Sequence, residues 1–467
     1  MKNDTTQYLS GSIVQTMMRT AIGMLPGTIA ISGYNIADTY FVSQLGTDQL
    51  AAMGFTFPAV MLIGCLFRGL GTGVMATASH ALGGRKHDRA AKLVTSGLLL
   101  TAFVAVILSL IGIFTSRSLF ELCGASGIVL EHVCDYMIVW YAGSVTSALQ
   151  MTGNDVVIAA GGSRIASTFM VVGLVANVIL DPLFIFGYGP FPYLGITGAA
   201  YATVLSQFLG MLGIMYYLHF RYHLLAAKTL VWERLRRYWP AVLRFAIPSI
   251  LGMMLMPIGN GVITRIVAEY GNDAVAACAA AGRLEVLAFV FPMSLGISLM
   301  PMVGQNYGAK QYQRIRDCRR IAFRIAIGFE LLMAVLYFIF APQLVVHFST
   351  DARVCEIMIL YLRIISIGFG MVEVHRYSGF FFTGCDRPNT AALLNAMRIL
   401  VFLIPLSLLA LVTGSLAMLF IARLAADVFS GAIGYYLTFR LTRELLARSS
   451  GTAKAPSLVS SASTAGR

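Results

Sequence analysis

Hydrophobic residues fill long stretches of this chain, separated by short polar segments. Each stretch runs about 20 residues or more, which as a helix rising 1.5 Å per residue crosses a ~30 Å hydrocarbon layer. The windows 18–42, 52–82, 93–115, 133–160, 165–187, 196–220, 242–267, 275–307, 322–341, 356–383, 391–413 and 415–438 predict about twelve spans. The expected fold is therefore an all-α polytopic membrane protein. Composition agrees: 58% of the 467 residues are hydrophobic and 12% charged, with a mean hydropathy of +0.77. Such values exclude a soluble globular domain.

The second half repeats the first. Gly46-Thr47-Asp48-Gln49-Leu50-Ala51-Ala52 returns as Gly271-Asn272-Asp273-Ala274-Val275-Ala276-Ala277, a displacement of 225 that also carries Gly71 onto Gly296, Gly83 onto Gly308 and Arg89 onto Arg314. Further on, Gly161-Gly162-Ser163-Arg164 meets Gly384-Cys385-Asp386-Arg387 and Pro182 meets Pro405 at 223, which reads as a small slip. Six spans fall in each copy, so two pseudo-symmetric six-helix bundles are expected, an architecture usual for secondary transporters. The boundaries read as an N-terminal lobe over 1–220, a connector over 221–241, a C-terminal lobe over 242–448 and a disordered tail over 449–467, the tail being rich in Ser, Ala, Thr and Gly.

The net charge of +13 brings in nucleic acid only until its placement is read. Arg85, Lys86, Arg89 and Lys92 follow the second span, Arg221, Lys228, Arg234, Arg236 and Arg237 the sixth, and Lys310, Arg314, Arg316, Arg319 and Arg320 the eighth; in the alternate loops Arg117 and Arg353 are the clear exceptions. Positive residues gather on the cytoplasmic side, so both termini and the connector are expected there. No nucleic-acid partner follows. The seven cysteines are scattered without C-x-x-C or Cys/His ligand spacing, which indicates neither a disulfide framework nor a zinc site. The polar start over 1–10 runs into a long span rather than a cleavable signal.

Ionisable groups at membrane depth are costly and mark function unless a partner accounts for them. Asp38 lies towards the far end of the first span with no base close in sequence. Asn177 and Asp181 are four apart on one face of the fifth, where Pro182 frees the carbonyl of Val178. Counted from the cytoplasmic ends, Asp38 and Asp181 reach similar depth in the outer part of the membrane. Thr203 of the sixth span reaches that level, and Asn154 of the fourth lies somewhat deeper. Two carboxylates in one poorly hydrated pocket cannot both stay ionised cheaply unless a cation sits between them, so these oxygens suit Na⁺ or H⁺. The alternative is that helix-end amides or water cap each acid separately. The duplication puts Ile263 and Ile404 at the equivalent places, so the shared fold does not require the acids.

Other polar residues in the spans are candidates for substrate. Glu373 and Arg376 in the tenth span, Glu285 in the eighth and Tyr34 beside Asp38 form that set, with Arg398 in the eleventh able to meet a charged group. Structural pairing competes: Glu373 with Arg376 three apart, and Arg423 with Asp427 four apart. Glu285 lies two from Arg283, on a different face, so its partner must come from another helix. Arg68 has no evident partner. Gly23, Gly27 and Gly33 around Pro26 give the first span a means of bending, or a packing kink. The 23 Met and 29 Phe residues suit a cavity for lipophilic cations, and equally a lipid-facing surface.

Asp38 before Val42-Ser43-Gln44-Leu45-Gly46, the Asp48…Ala51-Ala52 turn, Gly83-Gly84 ahead of a basic loop, and Asn177-x-x-x-Asp181-Pro182 together resemble the multidrug and toxic compound extrusion (MATE) transporters, in the bacterial branch with an N-lobe cation site. The resemblance covers nearly the whole chain. It implies no enzyme activity and no cofactor, but a monomer in the bilayer that exports lipophilic cations by antiport with Na⁺ or H⁺. By position, it implies a cation cluster of Asp38, Asn177 and Asp181, with Asn154 and Thr203 as further members. The C-terminal lobe departs from the pattern: the stretch 248–268 in the seventh span holds no acid. A lipid-linked precursor flippase of the same superfamily is the alternative, for which a cationic cavity is expected, with Arg68, Arg376 and Arg398 as its candidates.

Overall fold

The computed structural model describes residues 7–226 and 232–449. Twelve helical rods make up the described residues: α1 (Ile13–Ser43), α2 (Thr47–Gly83), α3 (His87–Leu122), α4 (Gly127–Ala159), α5 (Ser163–Phe186), α6 (Ile196–Tyr216, extended by a π turn to Arg221), α7 (Trp232–Ala268), α8 (Asn272–Gly308), α9 (Tyr312–Val345), α10 (Ala352–Gly384), α11 (Pro388–Val412) and α12 (Leu416–Ser449). Ten of them have the length and apolar composition to cross a membrane. The two below that composition are α1 and α4, whose apolar runs are diluted by Gly, Ser, Thr, Tyr, Asn and Gln.

The helices outrun the hydrophobic windows. α3, α7, α9 and α12 begin or end with one to three further turns rich in Arg, Lys and Glu, since a helix once nucleated extends at little cost past the hydrocarbon. Helix therefore occupies the second part of the expected connector from Trp232, while residues 227–231 and all of the expected tail beyond Ser449 lie outside the described residues. α10 and α11 are interrupted rather than smooth, α10 by a 3₁₀ turn over Ser366–Gly368 and α11 by a π segment over Met397–Leu403.

Backbone geometry corrects the register of the duplication. Arg85 and Lys310 hold the same left-handed conformation (φ 57° and 59°), and Lys86 and Gln311 donate their amides to Ala81 and Asn306 in the same pattern. These are the capping bonds that close a helix C-terminus. The next equivalent turn keeps the displacement of 225 instead of slipping to 223. Gly161 (φ 94°) matches Asp386 (φ 64°), and Gly162 N–H···O Val157 matches Arg387 N–H···O Phe382, both at 2.8 Å. The shared Gly-x-x-Arg letters misled the alignment because a turn is selected by its φ angles, which both Gly and Asp satisfy.

Each half packs on its own core. One cluster joins Leu70, Val94, Val157 and Ile214, another Phe120, Trp140 and Ile185, and in the second half Leu284, Met358 and Phe369 do the same. α1 is shared, because Tyr8, Met17 and Ala21 belong to a C-terminal core with Leu299, Tyr377 and Phe381. The halves meet closely at the end that bears the basic loops. There a Cβ on Gly83 would overlap the Gln305 carbonyl and one on Gly308 the His80 carbonyl. Towards the opposite end Gly54, Gly64 and Gly282 have no neighbour within 4 Å of their Cβ positions, and Ile36, Phe57, Met61 and Leu287 are exposed. A cleft between the halves thus opens away from the basic end.

Candidate functional site

α1 and α5 approach one another through small residues. Cβ atoms on Gly27 and Gly33 would overlap Ser167 and Leu174, and the Gly27 amide donates to Ser167 Oγ at 2.8 Å. This close approach brings Asp38 of α1 against Asn177 and Asp181 of α5. α6 completes the group through Thr203. Its hydroxyl donates to Asp38 Oδ2 at 3.1 Å, while Asn177 Nδ2 stands 3.4 Å from Thr203 Oγ1 and 3.3 Å from Asp181 Oδ1. All four side chains are buried, Asn177 and Asp181 completely, and the two carboxyl groups are near enough to interact directly.

Three acceptors in this group have no donor: Asp38 Oδ1, Asp181 Oδ2 and Asn177 Oδ1. Among the described residues no basic side chain is ion-paired with either acid. Orphaned acceptors in a buried site are costly, and hard oxygens fit a small hard cation or a shared proton. Tyr34, one turn before Asp38, lays its hydroxyl on Gly173 of α5 with no hydrogen-bond partner. Tyr136 of α4 is buried within electrostatic reach of both acids. Its aromatic ring gave no sign in the sequence.

Asn154 does not join the group. It is buried with an unpartnered Oδ1, but the neighbouring Gly153 packs on Ile214, about 16 Å along α6 from Thr203. No hydrogen bond links it to the acids. Depth counting puts it deeper than the acids, and its place in the cluster is implied only by the resemblance.

The candidate substrate residues of the second half, Glu285, Glu373 and Arg376, are each engaged in an ion pair. Glu373 Oε1 lies 2.8 Å from Arg376 Nη1, as the spacing suggests. Arg423, however, does not take Asp427: it reaches Glu285, which also accepts from Tyr361 at 2.7 Å, while Asp427 pairs with Arg398 at 2.6 Å. Interhelical partners win because Arg398 lies in the π segment of α11 and contacts α12 directly. Arg376 and Arg398 are thereby neutralised, and Arg68 has Asp155 as its electrostatic neighbour. Asp155, like Glu330 of α9, is an acid within a span that the sequence reading passed over. The signal that marked Asp38 was available for both.

At the basic end a second feature is a cavity of about 520 Å³ lined by His80, Lys86, Arg89, Arg244, Lys310 and Asp386 among others. Arg244 pairs with Asp386 at 3.2 Å.

Comparison with known proteins gives consistent results. The MatE family profile matches residues 25–183 and 248–409, one match in each half. A FAD transporter of Shewanella oneidensis is 32% identical over 96% of this chain and 99% of its own length. The multidrug export protein MepA of Staphylococcus saprophyticus is 24% identical over 95% and 98%. Among solved structures, the Vibrio cholerae MATE transporter VcmN superposes with a TM-score of 0.86 at 28% identity, covering 94% of this chain and 97% of its own. A Pyrococcus furiosus transporter of the MOP superfamily superposes at 0.88 and 25%, covering 96% and 99%.

Proposed function

Because the chain belongs to the MatE family, and so is a multi-span membrane transporter of small organic compounds and not an enzyme, we propose that it exports its cargo by antiport, with Na⁺ or H⁺ bound at Asp38 and Asp181. The observation that carries this reading is the isolated acid pair. Two buried carboxylates joined through Thr203 and Asn177, with no arginine or lysine paired to them and three acceptors lacking donors, form a group whose energy falls when one small cation arrives.

The positive-inside pattern supports a basic end in the cytoplasm of a bacterial cell with both termini inside, and the close contacts at that end support an outward-facing conformation. Cation entering from outside occupies the acid pair and favours release of cargo into the cleft. Parting of the Gly83 and Gly308 contacts opens the other side, where the cation leaves and cargo binds. A membrane potential supplies about 2.3 kcal/mol per charge per 100 mV to such a cycle.

Lipophilic cations are the first reading of the cargo, in keeping with a relative named as a multidrug export protein. A flavin dinucleotide is the second reading, favoured by the FAD transporter relative and by the basic cavity at the cytoplasmic end, whose Lys86, Arg89 and Lys310 suit phosphates. The flippase alternative loses ground, since Arg376 and Arg398 are matched by acids.

The test uses inverted vesicles loaded with this protein under an imposed Na⁺ gradient or, separately, an imposed pH gradient. Uptake of a cationic dye and of FAD is followed for the parent, Asp38→Asn and Asp181→Asn. One gradient is expected to drive one cargo in the parent, with the rate falling at least about tenfold in both variants, the scale of a lost charge-assisted contact. Gradient dependence that survives in both variants removes the assignment.

A further inference from the structure

Among the described residues, four acids stand well inside the spans of the C-terminal lobe, away from the helix ends, and three of them have a base: Glu285 with Arg423, Glu373 with Arg376, and Asp427 with Arg398. The fourth, Glu330, has none. It lies near the middle of α9, 0% exposed, and neither of its carboxylate oxygens has a hydrogen-bond partner. The charged groups close enough to feel it are Glu373, Arg376 and Glu285, of which the one base is engaged with Glu373. The nearby tyrosines are also engaged, since Tyr337 donates to the Leu284 carbonyl and Tyr377 to that of Pro292, each at 2.6 Å.

Glu330 is at the floor of a groove. Where the 3₁₀ turn Ser366–Gly368 interrupts α10, α9 and α10 leave a cavity of about 510 Å³ whose walls are apolar: Leu331, Val335, Phe338, Ile367 and Met371. The first four are exposed, and they stand on two helices that pack mainly within the C-terminal lobe, as expected of a groove on a lipid-facing surface. Besides Glu330, its polar lining group is Ser366, whose buried hydroxyl is likewise without a partner. The volume lies within the range of sites for drug-sized molecules.

We propose that this groove is a lateral binding site for amphipathic amines, with the apolar body along α9 and α10 and the nitrogen on the Glu330 carboxyl group. Charge complementarity selects this occupant. A lipid acyl chain would fill the walls but leave the acid unanswered, and one carboxylate with one hydroxyl offers too few oxygens for a metal ion. An amine arriving neutral through the bilayer takes the proton of the carboxylic acid, breaking its O–H bond and forming N–H, so the ion pair assembles without carrying net charge into the hydrocarbon. Ser366 lines the same groove; its Oγ and both Glu330 oxygens are covered in this conformation, so the nitrogen reaches them by displacing the side chains that cover them.

The site is remote from Asp38 and Asp181 and needs no ion gradient, so equilibrium binding tests it independently of the exchange reading. The intact protein in phosphatidylcholine nanodiscs is titrated with a dansyl pentylamine and with the matching dansyl pentanol, empty nanodiscs being subtracted. The parent is expected to bind the amine about tenfold more tightly than the alcohol, the scale of one charge-assisted contact. Glu330→Gln, isosteric and uncharged, is expected to bring the amine down to the alcohol's affinity. Gly370→Leu provides the second arm: its Cβ would meet Ile327 Cα at an ordinary 3.6 Å, so its branch fills the groove and weakens both probes. Equal affinity for amine and alcohol in the parent would identify a hydrocarbon groove for lipid, and amine binding unchanged in Glu330→Gln would equally overturn the proposal.

Discussion

Thr203 is the residue on which the acid pair turns, since it donates to Asp38 and receives Asn177, which in turn reaches Asp181. Thr203→Val keeps the volume and removes the hydroxyl, leaving one more Asp38 oxygen without a donor. About 1–3 kcal/mol is at stake for an unsatisfied charged group, so the half-saturating concentration of the coupling cation is expected to shift about tenfold in reconstituted vesicles, with the melting temperature little changed. A half-saturation equal to the parent's would separate Thr203 from the ion. Asp38, Asn177, Asp181 and Thr203 were legible because acids and amides inside an apolar run stand out and helical counting fixes their depth. Asn154, which counts out deeper, entered the cluster only through the resemblance, and Arg423 was given an acid on its own helix. Counting along one helix cannot see how far a neighbouring helix is tilted or which side chain it presents.

At the scale of elements, the small residues of α1 decide where the site can form. Gly27 is pressed so closely on Ser167 that any side chain forces α1 away from α5, although Gly27 lies three turns from Asp38. Gly27→Val is therefore expected to cost about 1–3 kcal/mol through overpacking and to weaken cation dependence along with it, because the two acids sit on the two helices being separated. Thermal unfolding in detergent and vesicle transport report the two effects. A loss of stability with unchanged cation dependence would show that α1 can pivot without disturbing the pair. All twelve helices could be read from hydrophobic runs. Their interruptions could not: the 3₁₀ turn of α10 and the π segment of α11 carry no composition signal, yet one shapes the groove beside Glu330 and the other delivers Arg398 to Asp427. Nor did any pattern announce that the start of α1 packs in the core of the other half.

For the whole molecule, the decisive contacts are those at the basic end. Gln305 Nε2 donates to the Ala159 carbonyl and Asn306 Nδ2 to that of Tyr8, at 2.8 and 2.9 Å, and His80 Nε2 meets the Gly384 carbonyl at 2.7 Å. Tyr8 OH crosses to the Ile158 carbonyl at 3.2 Å, and Arg314 holds the carbonyls of Tyr8, Ser10 and Gly11. The N-terminal segment thus laces both halves together. Gly83 and Gly308 allow main chain to rest on main chain across the join, and their equal spacing in the two copies was visible as a repeat before its purpose was. At these two points the join leaves no room even for a methyl group. On the proposed exchange reading, ions that slipped past between strokes would dissipate the driving force, and a tight seam of this kind is what keeps the books of charge closed. Gly83→Ala is accordingly expected to make vesicles leaky to the coupling cation in the absence of any cargo, measured as a faster collapse of an imposed gradient, and tightness preserved in that variant would place the barrier elsewhere.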